Sequence, residues 1–293
     1  MLFRSTLLHL RFPFSFFLMP FYLFGISQSD NLHIVGLVLS FVVMHLLFNP
    51  ASNGYNSWFD KDEGPIGGLA NPPKVQTALY TTSLMMHFFA LIFAIYFGLD
   101  TVLFLLILTV ASMAYSHPLI RIKAKPIVGV IWVAFFQGFW TYYLSLSFFE
   151  HLNIHHFSNV QHLIPAVLCS IMLLGSYPMT QIYQHEEDLK RGDITISLRL
   201  GIKGTFMWTA TWFGLATAGL LYFFYLKGGF ALPTLMMVLT APTLLFFFWW
   251  WIKSNQNGEI VNHQNTMRLN WLSAIGFNLF FGYLIAKSLM HFS

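Results

Sequence analysis

Apolar positions along this chain neither alternate nor form a single stripe; they occur in long runs that are apolar on every helical face. That is the pattern of helices surrounded by lipid rather than by water. A helix needs about 20 such residues to cross the hydrocarbon layer. Runs of this kind are predicted near residues 12–28, 33–58, 74–98, 100–117, 126–149, 162–186, 203–227, 231–252 and 268–290. The segments between them are short, so one all-α bundle of about nine transmembrane helices is expected over residues 1–293. The first run passes through FLMPFYLFG with no small-residue cleavage site after it, and reads as a span rather than a removed signal.

Composition agrees with the pattern. Of 293 residues, 56% are apolar and only 9% are charged, against roughly 25% charged in an ordinary soluble domain. Such a chain cannot cover a water-facing surface. The single cysteine, Cys169, rules out an intramolecular disulfide and sits within an apolar run, as a packed thiol does. Charge supplies the orientation. With the N-terminus inside, thirteen of the fifteen Lys and Arg residues fall in inner segments, leaving only Lys227 and Lys287 outside. That bias predicts a cytoplasmic N-terminus, and it accounts for the net charge of +4 without nucleic-acid binding. The acidic residues split the same way: Asp30, Asp100 and Glu150 lie outside and the other eight of eleven inside. Acidic residues do not set topology, so this second asymmetry has another cause.

Most of the inner acids form two groups, at the predicted ends of the second and sixth spans. PASNGYNSWFDKDEG (Pro50 to Gly64) aligns without a gap on PMTQIYQHEEDLKRG (Pro178 to Gly192), at an offset of 178 − 50 = 128 residues. Pro50 matches Pro178, Tyr55 matches Tyr183, Asp60 matches Asp188 and Gly64 matches Gly192. The carboxamides Asn53 and Asn56 match Gln181 and Gln184. The offset equals four spans, which predicts two pseudo-repeated halves, roughly 12–125 and 140–252. Within each copy the i, i+3, i+7 spacing would place two carboxamides and a carboxylate on one helix face, aimed into the bundle. The prolines are expected to kink their helices, and the glycines to stand where the chain leaves the helix.

Two facing sets of carboxylates and carboxamides, without cysteine or paired histidine, are hard oxygen donors of the kind that suits Mg²⁺. Lys61, Arg121, Lys123, Lys190, Arg191 and Arg199 lie on the same side. Carboxylates holding Mg²⁺ within a ring of cations predict a site for a diphosphate.

These motifs resemble those of the UbiA-type intramembrane prenyltransferases, a family of nine helices with aspartate-rich motifs at the ends of helices two and six. In NSWFDKDEG, Asn56 and Asp60 fill the Asn-x3-Asp positions. In QHEEDLKRGDITISLRLG, Asp188, Gly192, Thr195, Arg199, Leu200 and Gly201 fit the spacing of the second motif. Between them, YSHPLIRIKAKP (Tyr115 to Pro126) is similar to the family's Tyr-Ser-x-Pro loop. Two positions depart from the pattern. Gly64 stands where a further Asp is common, with Asp62 and Glu63 the nearest substitutes. Gln184 replaces the leading Asp of the second motif, with Glu187 close by.

The resemblance implies Mg²⁺-dependent transfer of a polyprenyl group from an allylic diphosphate to an aromatic, quinone-precursor-like acceptor in the membrane. It implies Asn56, Asp60, Asp62, Gln184, Glu187 and Asp188 as metal ligands. The diphosphate falls to Asn53, Asn56, Lys61, Tyr115, Arg121, Lys123, Gln181, Gln184, Lys190 and Arg191. Asp60, Asp188, Arg121 and Lys123 are the catalytic set. The alternatives are a secondary transporter, which would also show related halves and kinked helices, and a catalytically lapsed isoprenoid-binding relative. The histidines at 151, 155 and 156 read as an interfacial loop, and His45 and His87 as buried, hydrogen-bonded residues.

Overall fold

The computed structural model describes residues 2–291 and is helical throughout that range apart from turns, loops and an isolated bridge between Ile66 and Leu69. Among the described residues, eight helices are long and apolar enough to cross a membrane: α2 (Ile34–Asp60), α3 (Ala78–Phe97), α4 (Leu99–Ser116), α5 (Pro126–Ser147), α6 (Val160–Thr180), α7 (Ile196–Gly228), α8 (Ala231–Ser254) and α9 (His263–Met290). A ninth crossing, α1, is a pair of segments, Arg4–Phe17 and Met19–Ile26, bent by 50°. The predicted span 12–28 therefore begins too late. Polar Ser5, Thr6 and His9 interrupt the apolar pattern there, yet all three are buried, and His9 bonds the Pro73 carbonyl at 2.7 Å.

Buried polar groups in a lipid-facing bundle need partners within the protein. Ser83, Thr109, Ser145 and Thr240 donate to carbonyls four residues earlier in their own helices. Indole N–H groups cross between helices, Trp140 to the Phe104 carbonyl at 2.9 Å and Trp208 to the Leu174 carbonyl at 2.7 Å. His45 is paired as expected, 2.6 Å from Ser15. His87 is buried as expected, but among the described residues neither of its ring nitrogens has a hydrogen-bond partner.

The two proline kinks differ. Ahead of Pro50, α2 widens into a π-helical segment, Val42–Phe48, which absorbs the missing N–H without ending the helix. At Pro178 the α-helical part of α6 ends at Ser176, a 3-10 turn follows over Tyr177–Thr180, and a separate short helix runs His185–Arg191. The even face predicted for the second motif is thus a broken one: Gln181 lies in a turn, Gln184 caps the short helix and Asp188 lies within it. The glycines differ as well. Gly192 ends the short helix at φ 73°, whereas α2 is ended by Lys61 at φ 49°, three residues before Gly64.

Candidate active site

The ends of α2 and α6 meet at one end of the bundle over a cavity of about 310 Å³. Its mouth is polar. Asn53, Asn56 and Asp60 line it from one face of α2, as their spacing predicts, and Gln181, Gln184 and Asp188 line it from the broken segment opposite. Tyr115, Lys123, Asp62 and Arg191 complete this end. Deeper in, the lining becomes apolar: Met44 and Phe48 from α2, Leu108 from α4, Phe136 from the π-helical part of α5, Met172 and Leu173 from α6, and Phe277 from α9. Both π-helical segments face this cavity, a placement frequent at functional sites.

Every carboxylate at the mouth has a partner. The Lys123 ammonium contacts Asp60, whose side chain is only 5% exposed, and the Arg121 guanidinium lies 3.9 Å from the same carboxylate. Arg121 is itself held in a fork by Asp193, at 2.8 Å from Nε and 2.8 Å from Nη2. That fork pushes the guanidinium pKa up, against the downward pull of its partial burial. Arg191 bridges Asp62 and Glu187. Asp188 is buried and accepts a 3.0 Å hydrogen bond from the Thr195 hydroxyl. Burial pushes its carboxyl up to about 6, and the Thr195 bond works against that shift.

The acid groups also bind each other. The backbone N–H groups of Glu63 and Gly64 donate to Glu187 at 3.3 and 3.4 Å, and the Gln184 amide donates to the Pro65 carbonyl at 3.1 Å. Both motifs therefore lie at one end of the bundle. Lys61 and Lys190 stand apart from the cavity: both are exposed, and the Lys61 ammonium lies 5.5 Å over the Trp58 ring. His185 turns away as well, 2.8 Å from the Ser197 hydroxyl, and burial pushes its imidazole pKa down.

Among the described residues, two carboxamide oxygens at the mouth, Asn56 Oδ1 and Gln181 Oε1, are buried without a donor. Gln181 spends its amide on the Tyr177 hydroxyl at 2.8 Å, and Tyr177 meets Tyr115 hydroxyl to hydroxyl. Orphaned oxygens beside two carboxylates form a donor set that fits a hard cation. Among the described residues, no three acidic, His or Cys side chains already stand at metal-binding distance from one another.

Three residues of this site were not singled out from the sequence. Asp193 follows Gly192 in the second motif and was visible only as one more inner acid. Tyr177, before Pro178, carried no pattern. Arg11 entered only the charge count, although it is the one basic residue at the head of the first predicted run.

The arrangement defines a class of protein: a multi-pass membrane bundle enclosing an amphipathic cavity, with cations and hard oxygen donors at its mouth and an apolar shaft behind. The family model for the UbiA prenyltransferase family matches residues 16–273. The chain belongs to that family. Comparison with curated proteins finds no match. Among solved structures, the chain superposes on an apo UbiA homologue from Aeropyrum pernix K1 with a TM-score of 0.71 at 16% identity, covering 94% of this chain and 98% of that one. A UbiA homologue from Archaeoglobus fulgidus bound to DMAPP and Mg²⁺ gives 0.68 at 19% identity, with 96% and 99% covered. A structure of digeranylgeranylglyceryl phosphate synthase gives 0.59 at 14% identity, with 98% and 99% covered.

Proposed function

We propose that this protein transfers a polyprenyl group from an allylic diphosphate to an aromatic, quinone-precursor-like acceptor within the membrane, with Mg²⁺ at the diphosphate. The observation that carries this reading is the junction of a charged mouth and an apolar shaft in one cavity. A diphosphate with a prenyl tail has those two parts in that order. Family membership and the DMAPP and Mg²⁺ bound to the Archaeoglobus fulgidus homologue support it.

Asp60, Asp188, Asn56 and Gln181 would hold the metal, with Asp62 beside them. When bound, Mg²⁺ offsets the charge on the diphosphate oxygens as the carbon–oxygen bond breaks. Gln181 enters this set through its orphaned oxygen; Gln184 gives only its amide N–H to the loop that follows α2, so its oxygen can join the set, whereas the Glu187 carboxylate is committed to that loop. Lys123, Arg121 and Arg191 lie against carboxylates and would turn toward the leaving group. Turned onto the bound diphosphate, they stabilise the charge that develops on it. The apolar walls keep water from the allylic cation until the acceptor attacks. Thirteen of fifteen cations on one side supports placing this mouth in the cytoplasm.

The test uses protein in lipid vesicles, a labelled allylic diphosphate and a lipid extract of the source cells as the acceptor pool, with Mg²⁺ or EDTA. A labelled lipid product is expected with Mg²⁺ only. Asp60→Asn and Asp188→Asn should each reduce it on the order of 100-fold. Diphosphate bound but never cleaved would instead support a lapsed isoprenoid-binding relative.

A further inference from the structure

Tyr177 lines the cavity and belongs to neither aspartate-rich motif. Its place follows from its neighbour. Pro178 has no backbone N–H with which to continue α6, so the α-helical part stops at Ser176 and the 3-10 turn Tyr177–Thr180 begins. The turn is pinned from within. The Thr180 hydroxyl donates to the Tyr177 carbonyl at 2.7 Å, and the Gln181 backbone N–H donates to the Pro178 carbonyl at 3.1 Å. The Gln181 side chain then reaches back to Tyr177, whose hydroxyl oxygen accepts from the carboxamide N–H at 2.8 Å. On its other side the Tyr177 hydroxyl meets that of Tyr115, from the last turn of α4. All three side chains line the cavity, and Asp60 and Asp188 act electrostatically on both hydroxyls.

A phenol has one proton to donate, and that count fixes the direction of the row. Among the described residues neither hydroxyl has a further hydrogen bond. Tyr177 accepts from Gln181, so its own proton goes to Tyr115, and the Tyr115 proton is left for the cavity. Were Tyr115 to donate instead, the Tyr177 proton would have one acceptor remaining, the Gln181 oxygen. The carboxamide would then turn over and present its N–H groups to the carboxylates. Only the first direction suits a cation. It leaves the buried Gln181 Oε1 without a donor, as a ligand oxygen, and it points an O–H toward whatever anion the cation holds. The first copy of the repeat lacks this arrangement. Asn49 stands at the matching position, 177 − 128 = 49, and its amide donates to the Ser15 hydroxyl at 2.9 Å.

We propose that Tyr177 is a positioning residue for the metal: by accepting from the Gln181 amide while donating to Tyr115, it fixes which end of that carboxamide faces the cation. This deepens the reading of Mg²⁺ at the diphosphate given above and rests on it. A carboxamide needs such a device, because only one of its two ends is an oxygen, whereas a carboxylate offers oxygen at either end.

Metal binding tests this directly. Purified protein in vesicles, with equimolar geranyl diphosphate, is titrated with Mn²⁺ in place of Mg²⁺. Free Mn²⁺ is read by electron paramagnetic resonance against protein-free vesicles holding the same geranyl diphosphate. Tyr177→Phe keeps the ring and loses only the hydroxyl, so the carboxamide is free to face the metal with either end. Its Mn²⁺ affinity should fall about five-fold or more, the scale of one net hydrogen bond. Gln181→Glu presents an oxygen whichever way it turns, and Gln181→Ala has no carboxamide to orient. Adding Tyr177→Phe in either background should change the affinity by less than about two-fold, since the step on which Tyr177 acts is already gone. Unchanged affinity in Tyr177→Phe overturns the proposal. An equal fall in all three backgrounds also overturns it, by showing that Tyr177 acts through the fold and not through the carboxamide. No Mn²⁺ bound by wild type with geranyl diphosphate present removes the metal at the diphosphate, and the proposal with it.

Discussion

A β-carbon on Gly64 would lie 2.7 Å from a carboxylate oxygen of Glu187, closer than side chains tolerate. Glu187 fills the space beside Gly64, entering it from the opposite motif. There it accepts from the backbone of Glu63 and Gly64 and pairs with Arg191, which in turn holds Asp62. Gly64→Ala should push the flexible Glu187 carboxylate aside and so break the contacts that Glu187→Ala removes. The two substitutions should therefore be non-additive, with a coupling on the order of 1 kcal/mol in a double-mutant cycle of diphosphate binding. Additive effects would show that the residues act separately.

The Asp193–Arg121 fork gives a second expectation. Its two 2.8 Å bonds aim the guanidinium, which also lies 3.9 Å from Asp60. Asp193→Asn keeps the shape but loses one acceptor and the charge. Turnover with saturating diphosphate should fall roughly 10-fold or more, on the scale of a lost charged hydrogen bond. Arg121→Lys should not restore it, because an ammonium cannot make the fork. Steady-state kinetics with both variants decide this, and full activity in Asp193→Asn would show that the fork is dispensable.

Asp188 makes the site sensitive to acid. With its carboxyl pushed up to about 6 by burial, the group is ionised at pH 7.5 and progressively protonated below 6, where it no longer holds a cation. Mg²⁺-dependent binding of the diphosphate should therefore weaken as pH falls through about 6. The Thr195 hydroxyl favours the ionised form from 3.0 Å. In Thr195→Val the midpoint should move upward by about one pH unit, given the strength of hydrogen bonds to charged groups. Thr195→Ser is the control, since Thr195 also caps α7 by accepting from the Leu198 N–H. A midpoint unmoved in Thr195→Val but moved in Thr195→Ser would exclude this origin.

Much of this was legible in the chain because lipid imposes one rule on every span. Long uncharged runs marked eight spans closely, and the i, i+3, i+7 spacing placed Asn53, Asn56 and Asp60 on one cavity-facing side of α2. The same spacing concealed the break at Pro178, since residues of a turn and a short helix converge where a continuous helix would also have put them. The start of α1 was obscured by Ser5, Thr6 and His9, whose bonds come from within the fold. Asp193 and Arg11 were hidden for a different reason. A lone charge next to a motif or within a run has no period, and its meaning comes from the long-range partners it finds.

The apolar shaft yields the last expectation. Met44 lines the cavity from the π-helical part of α2 and is only 2% exposed. It precedes Asp60 by 60 − 44 = 16 residues, which is about 24 Å of helix rise. A donor whose diphosphate sits at Asp60 would bring the far units of its prenyl chain to this depth, while a dimethylallyl group would stay near the mouth. Each buried methylene contributes about 0.8 kcal/mol, so blocking the deep end penalises long donors and spares short ones. Met44→Trp should lower kcat/KM for geranylgeranyl diphosphate at least 10-fold relative to dimethylallyl diphosphate. Met44→Phe should give a smaller change in the same direction. The comparison is a ratio within one protein sample, so a loss of folded material from overpacking, which costs about 1–3 kcal/mol, cancels out of it. An unchanged ratio in both variants would mean that the prenyl chain leaves the mouth by another route, between helices and into the lipid.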